Sequence, residues 1–301
     1  MTLHVAISGA SGLIGTMLRK SLAEAGHRVT ALVRRPPGPG EIRWDPAGSG
    51  LDPASLRGVD AVVHLAGENL AEGRWTDDRK RKILESRKLG TRLLAEAMAR
   101  APEGPRTLVS ASAIGYYGER GDEELTEASP PGTGFLPEVC VAWEAATAPA
   151  AAAGLRVVQV RTGLLLTPAG GLLPRILPPF RLFVGGRLGD GQQWMSWISA
   201  ADLLGVYRQA LEGDLIGPVN AVAPGAVRNE QFTRVLAKVL HRPAVMVVPR
   251  TALRLAYGQM ADEAILASTR VLPAALQTSG FQFEYPTLEP ALGHLLHREN
   301  S

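Results

Sequence analysis

The 301-residue chain is 46% apolar and 20% charged, with 32 basic and 29 acidic residues and a formal net charge of +3. That length builds a sizeable core in one large or two coupled domains, and the composition excludes disordered, collagenous and fibrous classes. So small and scattered a charge argues against nucleic acid and membrane surfaces as partners, although the basic side is lopsided, with 27 arginines and only five lysines, at 20, 80, 82, 88 and 238.

In chain order, Leu3–Ser8 reads as a strand, Leu13–Ala25 as a helix ending at Gly26, and Arg28–Val33 as a second strand. Pro53–Leu56 is a helical turn before the strand Ala61–Leu65. Helix Thr76–Ala101, strand Thr107–Ser112, helix Pro137–Ala153 and strand Val157–Arg161 follow. This alternation predicts an α/β fold, a doubly wound parallel sheet of Rossmann type. Residues 163–197 are rich in Gly and Pro and read as a connecting lobe. Beyond it come helix Ala200–Leu211, strand Val219–Val222, and helix Asn229–Leu240 with Asn229 as its N-cap. The tail 248–297 reads as mostly helical with an aromatic turn at Phe281–Tyr285. The expected division is a core of 1–162 plus 198–213, and a smaller, mostly helical C-terminal lobe of 163–197 and 214–301. The start reads directly as a strand, no apolar run reaches the ~18–20 residues of a membrane span, and the lone Cys140 fits a reducing compartment. The expected location is the cytoplasm.

Gly9-Ala-Ser11-Gly12-Leu13-Ile14-Gly15 joins the first strand to the first helix. Glycines at these positions allow a sharp turn, close approach of a pyrophosphate, and tight helix–sheet packing, while the helix N-terminus offers free N–H groups. An NAD binder places Asp or Glu at the end of the second strand; here stand Arg34 and Arg35, whose forks suit a 2′-phosphate. The expected cofactor is NADP(H).

His64-Leu65-Ala66-Gly67 and Ser110-Ala-Ser-Ala-Ile-Gly-Tyr-Tyr-Gly118 complete a wider pattern. The chain resembles the extended short-chain dehydrogenase/reductase superfamily in its epimerase/dehydratase branch. More narrowly, it resembles the YfcH-like epimerase family with a C-terminal domain of unknown function. Gly67-Glu-Asn-Leu70, Arg74-Trp75, Ser86-Arg87 with Gly90-Thr91, Trp143-Glu144, Arg161-Thr-Gly, Pro178-Pro-Phe-Arg181, Gly189-Asp-Gly-Gln192, Ser196-Trp-Ile198 with Asp202, and Arg228-Asn-Glu-Gln-Phe232 carry the narrower match. The resemblance implies an oxidoreductase or epimerase acting on a sugar-nucleotide-like or carbonyl substrate, with Leu65, Ala66, Gly67 and Leu164 beside the cofactor.

The superfamily's chemistry usually rests on Asn, Ser, Tyr and Lys. The Ser falls on Ser112, the Asn position on Arg87, and the Tyr and Lys positions on Glu138 and Ala142. No lysine stands between Lys88 and Lys238, so the ammonium that brings a phenol from pKa ~10 towards 7 is missing. Tyr116 or Tyr117 is the candidate proton donor, with Ser112 orienting the substrate oxygen. Lys82 and Arg87 either supply the cation or bind cofactor phosphate or ribose; a solvated helix face is the alternative for Lys82.

Trp194 and Trp197 form either a platform for a sugar ring or part of the core. Arg175, Arg181 and Arg187 bind a substrate diphosphate or are surface charges. Cys140 reads as a small core residue, Glu138 as a helix-N-terminal charge, and His294-x-x-His297 beside Arg298 as part of a terminal helix; no metal is expected. A homodimer through the two long helices is implied by resemblance. Two functions stand: an NADP(H)-dependent oxidoreductase or epimerase, and a catalytically degenerate NADP(H)-binding regulatory or interaction protein.

Overall fold

The computed structural model describes residues 2–48 and 50–297. Seven parallel strands form the central sheet: β1 (His4–Ser8), β2 (Arg28–Val33), β3 (Glu41–Arg43), β4 (Ala61–His64), β5 (Thr107–Ala113), β6 (Arg156–Thr162) and β7 (Gly217–Ala221), in the order β7-β6-β5-β4-β1-β2-β3. Ile7 lies between Ala31 of β2 and Val63 of β4. The period of two sends alternate residues to opposite faces. Val5, Ile7, Val63, Val109 and Val158 pack with Leu18 and Leu22 of helix α1 (Leu13–Glu24). Ala6, Val62, Leu108 and Val157 pack on the other side with Leu94 and Met98 of α2 (Asp77–Arg100). Both faces are covered, which is why these strands are nearly all apolar.

The chain winds outward from β1 through β2 to β3, then crosses back to β4 and continues the other way. The carboxyl ends of β1 and β4 therefore flank a crevice at this switch point, the usual ligand position in an open α/β sheet.

Several expected boundaries shift. Strand β3 emerges from a Gly- and Pro-rich stretch that carries no periodic signal. The helix expected over Pro137–Ala153 is two helices, α3 (Phe135–Ala145) and α4 (Ala148–Ala152). Pro149 explains the break, because its ring would collide with a carbonyl one turn earlier. Strand β7 completes the central sheet beside β6, so the core takes in residues that the expected division left to the lobe. Arg228, not Asn229, is the N-cap of α7 (Asn229–Leu240); the Asn229 amide oxygen instead accepts a bond from Leu188 N at 2.8 Å.

The smaller lobe gathers α5 (Leu173–Arg181), α7 and Leu288–His297 around Leu173, Leu177, Phe180, Trp197, Phe232, Leu236 and Leu292. Asp202, on α6 (Ala200–Glu212), is buried and accepts from Glu284 N at 2.6 Å and Tyr285 N at 3.2 Å, holding the aromatic turn to the core. No described helix is long and apolar enough to cross a membrane.

Candidate functional site

The crevice is lined first by the glycine turn. Gly9 has φ +68°, and a Cβ there would lie 2.8 Å from Ala66 N, so the turn and the loop following β4 touch backbone to backbone. At Gly15 a Cβ would come within 2.2 Å of Gly9 O. Helix α1 starts behind Gly12 with no side-chain cap and no acidic residue in its first turn. Its first N–H groups thus face the crevice without a competing carboxylate, the arrangement that receives phosphate. Ser11 is exposed at the tip, while Ile14 packs on the sheet core. Gly170 approaches Leu13 so closely that a Cβ would sit 3.0 Å from its methyl carbons, which brings the smaller lobe over the turn. Leu65, Ala66 and Gly67 form the opposite wall, and Leu164 opens the short strand Leu164–Leu166.

The two arginines after β2 separate. Arg35 grips Glu41 through two bonds, Nη1–Oε2 at 2.7 Å and Nη2–Oε1 at 2.6 Å, and Glu41 also accepts from Gly38 N. The Arg35 guanidinium holds the Glu41 carboxyl below the usual carboxylate range. Arg34 is exposed and makes no hydrogen bond or ion pair among the described residues. The paired expectation is therefore corrected: Arg34 alone is an open fork, and Arg35 orders the loop.

Lys82 and Arg87 likewise part company. Lys82 is exposed on α2 and paired with Asp78 at 2.9 Å, the geometry of a solvated helix face rather than of the crevice wall. Arg87 is buried against the same helix, donating from Nη1 to Glu68 O and Ile83 O, with its guanidinium 4.8 Å from the Trp143 ring centre. A Cβ on Gly67 would lie 3.2 Å from its Cζ, so glycine there gives the guanidinium room at the crevice wall. Among the described residues Arg87 has no carboxylate within ion-pair distance, and burial lowers its pKa. Nearby, His64 accepts from Ser8 Oγ at 2.6 Å, since that hydroxyl already receives Leu65 N; burial pulls its pKa down to about 3 and keeps the ring neutral.

At the crevice ends of β5 and β6 lies a second group. Ser112 Oγ donates to Glu144 Oε1 at 2.7 Å. Arg161 holds the same carboxylate from Nε and Nη2, both at 2.8 Å. Its guanidinium carbon lies 3.5 Å from the Tyr116 ring centre, and Nη1 donates to Tyr117 Oη at 2.9 Å. Tyr117 is fully buried, and its hydroxyl donates towards Asn220 Oδ1 at 2.7 Å, with Thr126 O also within reach. Burial pushes its pKa up to about 12. Tyr117 is thereby corrected from proton donor to core residue; of the tyrosine pair, only Tyr116 keeps a hydroxyl uncommitted among the described residues. Glu144 and Arg161 were not among the expected catalytic residues. Their only sequence signal was membership in the Trp-Glu and Arg-Thr-Gly motifs.

The remaining candidates fall elsewhere. Trp197 is fully buried and donates to Gly225 O. Trp194 lies between the guanidinium groups of Arg228 and Arg270, 4.8 and 4.6 Å from its ring centre, and donates to Asp122 at 2.8 Å. The two do not form a shared platform. Arg175 reaches Ala71 O at 3.5 Å, bridging α5 to the loop after β4, while Arg181 closes α5 and Arg187 lies on the short strand Gly186–Leu188. Cys140 is a buried core residue, and Glu138 is exposed in the first turn of α3. His294 packs against Tyr285; the His297 side chain and Arg298 lie outside the described residues.

A doubly wound sheet with an open glycine turn at its switch point defines the dinucleotide-binding class of α/β proteins. Residues 5–221 match the model of the NAD dependent epimerase/dehydratase family, and residues 248–295 match a domain of unknown function, DUF1731. The chain belongs to this epimerase/dehydratase family. It is 44% identical to an epimerase family protein of Mycobacterium bovis over 98% of each chain, and 36% identical to human epimerase family protein SDR39U1 over 98% of this chain and all of that one. Among solved structures, human SDR39U1 isoform 2 with NADPH aligns with TM-score 0.88 and 33% identity, covering 98% of this chain and 99% of that one. A nucleoside-diphosphate sugar epimerase from Corynebacterium glutamicum aligns with TM-score 0.82 and 43% identity; the chain spans 58% of that protein's length.

Proposed function

We propose that this protein binds NADP(H) and acts as an oxidoreductase or epimerase on a carbinol or ketone carbon of a sugar-nucleotide-like or carbonyl substrate, in the cytoplasm. The residues fit the dinucleotide: Gly9 and Gly15 let the turn close backbone to backbone, Gly12 puts no side chain before the uncapped α1 N-terminus, and Arg34 is an open fork for a 2′-phosphate. The cofactor, when bound, supplies hydride chemistry. The observation that carries the catalytic half is Arg161, a buried permanent cation that touches the Tyr116 ring and, through Glu144, fixes Ser112. It places a cation against the Tyr116 ring in a stretch of chain that holds no lysine. Ser112 has committed its proton to Glu144, so its oxygen presents lone pairs to a substrate hydroxyl. Tyr116 exchanges the proton with the substrate oxygen. NADPH consumption or NADP⁺ reduction across a panel of carbonyl compounds and sugar nucleotides tests this. Turnover lowered by both Ser112→Ala and Tyr116→Phe is expected; tight NADPH binding with no turnover on any of them overturns it.

One observation favours a second reading, a regulatory or interaction protein for which NADP(H) is a structural or sensory ligand: Glu138 and Ala142 stand where the Tyr–Lys couple belongs. On that reading Ser112→Ala leaves cellular function intact while Arg34→Asp destroys it. We place a homodimer contact on α2 and α3, where Leu89 and Val141 are exposed, to be tested by molar mass in solution.

A further inference from the structure

Six large apolar side chains stand exposed in two short segments far apart in sequence: Leu182, Phe183 and Val184 after α5, and Val245, Met246 and Val247 after α7. The structure joins them. Met246–Val248 pairs in parallel with Gly186–Leu188, Met246 N donates to Gly185 O, and the Arg242 guanidinium lies 4.8 Å over the Phe183 ring. Successive strand residues point to opposite faces, so exposure of both Met246 (50%) and Val247 (45%) means that both faces of this ribbon are open. Leu182 at 71% and Val245 at 79% exposure require a convex tip rather than a groove. Phe183 has φ +65°, a left-handed conformation unfavourable for a bulky residue, and it turns the ring outward at the end of α5.

The charge carried by these two segments is basic. Residues 181–189 and 241–250 contain four arginines, one histidine and no carboxylate. Asp190, directly after the first segment, is bound by Arg250 at 3.0 Å. We infer that this tip docks on an anionic lipid surface, with Leu182, Phe183, Val245 and Met246 entering the acyl boundary and Arg242 meeting phosphate. A convex apolar tip finds little matched area on a folded partner, whereas a bilayer interface conforms to it. Arginine buries its stem against apolar neighbours while its head stays with the headgroups. Two copies meeting here would set cation against cation. Strand addition along the ribbon is disfavoured by Pro243 and Pro249, which flank it and lack N–H groups. The expectation of no membrane-surface role rested on net charge, which hides this local cluster. The inference is independent of the proposed function.

Flotation of the full chain with phosphatidylcholine vesicles, with and without phosphatidylglycerol, tests it. Binding to the anionic vesicles that falls with added salt is expected. Phe183→Asp, a residue tolerated at this backbone conformation, is expected to weaken binding by about tenfold or more at unchanged melting temperature. Arg242→Gln is expected to weaken it by about fivefold. No partition into anionic vesicles, equal partition of Phe183→Asp, or a dimer that Phe183→Asp dissolves would each overturn the inference, the last in favour of a second copy.

Discussion

Glu144 and Arg161 meet through two bonds of 2.8 Å, with side chains 13% and 3% exposed, in a chain that has no lysine between positions 88 and 238. Burial opposes the Arg161 charge, yet Glu144 and Tyr117 together raise its pKa above the ordinary arginine value. Arg161→Ala is expected to cost about 3–5 kcal/mol in urea unfolding, because it strands a buried carboxylate. Arg161→Met combined with Glu144→Gln is expected to cost less than the single change. A double variant at least as unstable as Arg161→Ala counts against a coupled pair.

Arg34 and Arg35 are adjacent but differently engaged. Arg34→Ala is expected to weaken NADPH binding by about 10- to 100-fold, the loss of charge-assisted bonds to phosphate, with little change for NADH. Arg35→Ala is expected to act less on affinity, since its fork is already filled by Glu41. Fluorescence titration with both dinucleotides reads the two ratios.

Gly15 tolerates no side chain where Gly9 O stands 2.2 Å from the position of a Cβ. Gly15→Ala must displace backbone rather than a flexible side chain. It is expected to lower the melting temperature and abolish dinucleotide binding together, whereas Gly26→Ala, with φ +84° but open space around it, is expected to cost stability alone.

His64 gives a signed pH dependence. Its pKa falls from 6.5 in the unfolded chain to about 3 in the fold. Between those values the unfolded chain binds the extra proton, so stability is full above about pH 6.5 and falls as pH drops towards 3, by at most about 1.4 kcal/mol per unit from this group. His64→Asn is expected to flatten that acid limb in denaturant melts; an unchanged slope would sink the assignment.

Cys140 is buried, and its thiol is pushed up to about 12. It is expected to resist thiol reagents in the fold and react once urea exposes it. Prompt labelling of the native chain would contradict this burial.

Much of the fold was legible in sequence because its signals are local. β-branched runs such as Ala61–His64, helices stopped by glycine, and the Gly9–Gly15 turn each follow from backbone sterics and period within a dozen residues. The family resemblance singled out Ser112, and the end of the second strand singled out Arg34; the fold has the one on β5 and the other directly after β2. What stayed hidden depends on neighbours distant in the chain. Tyr116 and Tyr117 are adjacent and chemically alike; only the pairing of β5 with β6 and of β6 with β7, which brings Arg161 Nη1 and Asn220 Oδ1 to the Tyr117 hydroxyl, separates the core phenol from the open one. Likewise Glu41 takes Arg35 and leaves Arg34 free, Asp78 takes Lys82, and two segments some sixty residues apart build one exposed apolar tip.

Sequence by itself thus determined the α/β class, the glycine turn and a stretch from 89 to 237 without lysine. Tertiary structure decided which charged and phenolic groups remain available. Availability depends on burial and on partners, and a linear chain specifies neither until it has folded.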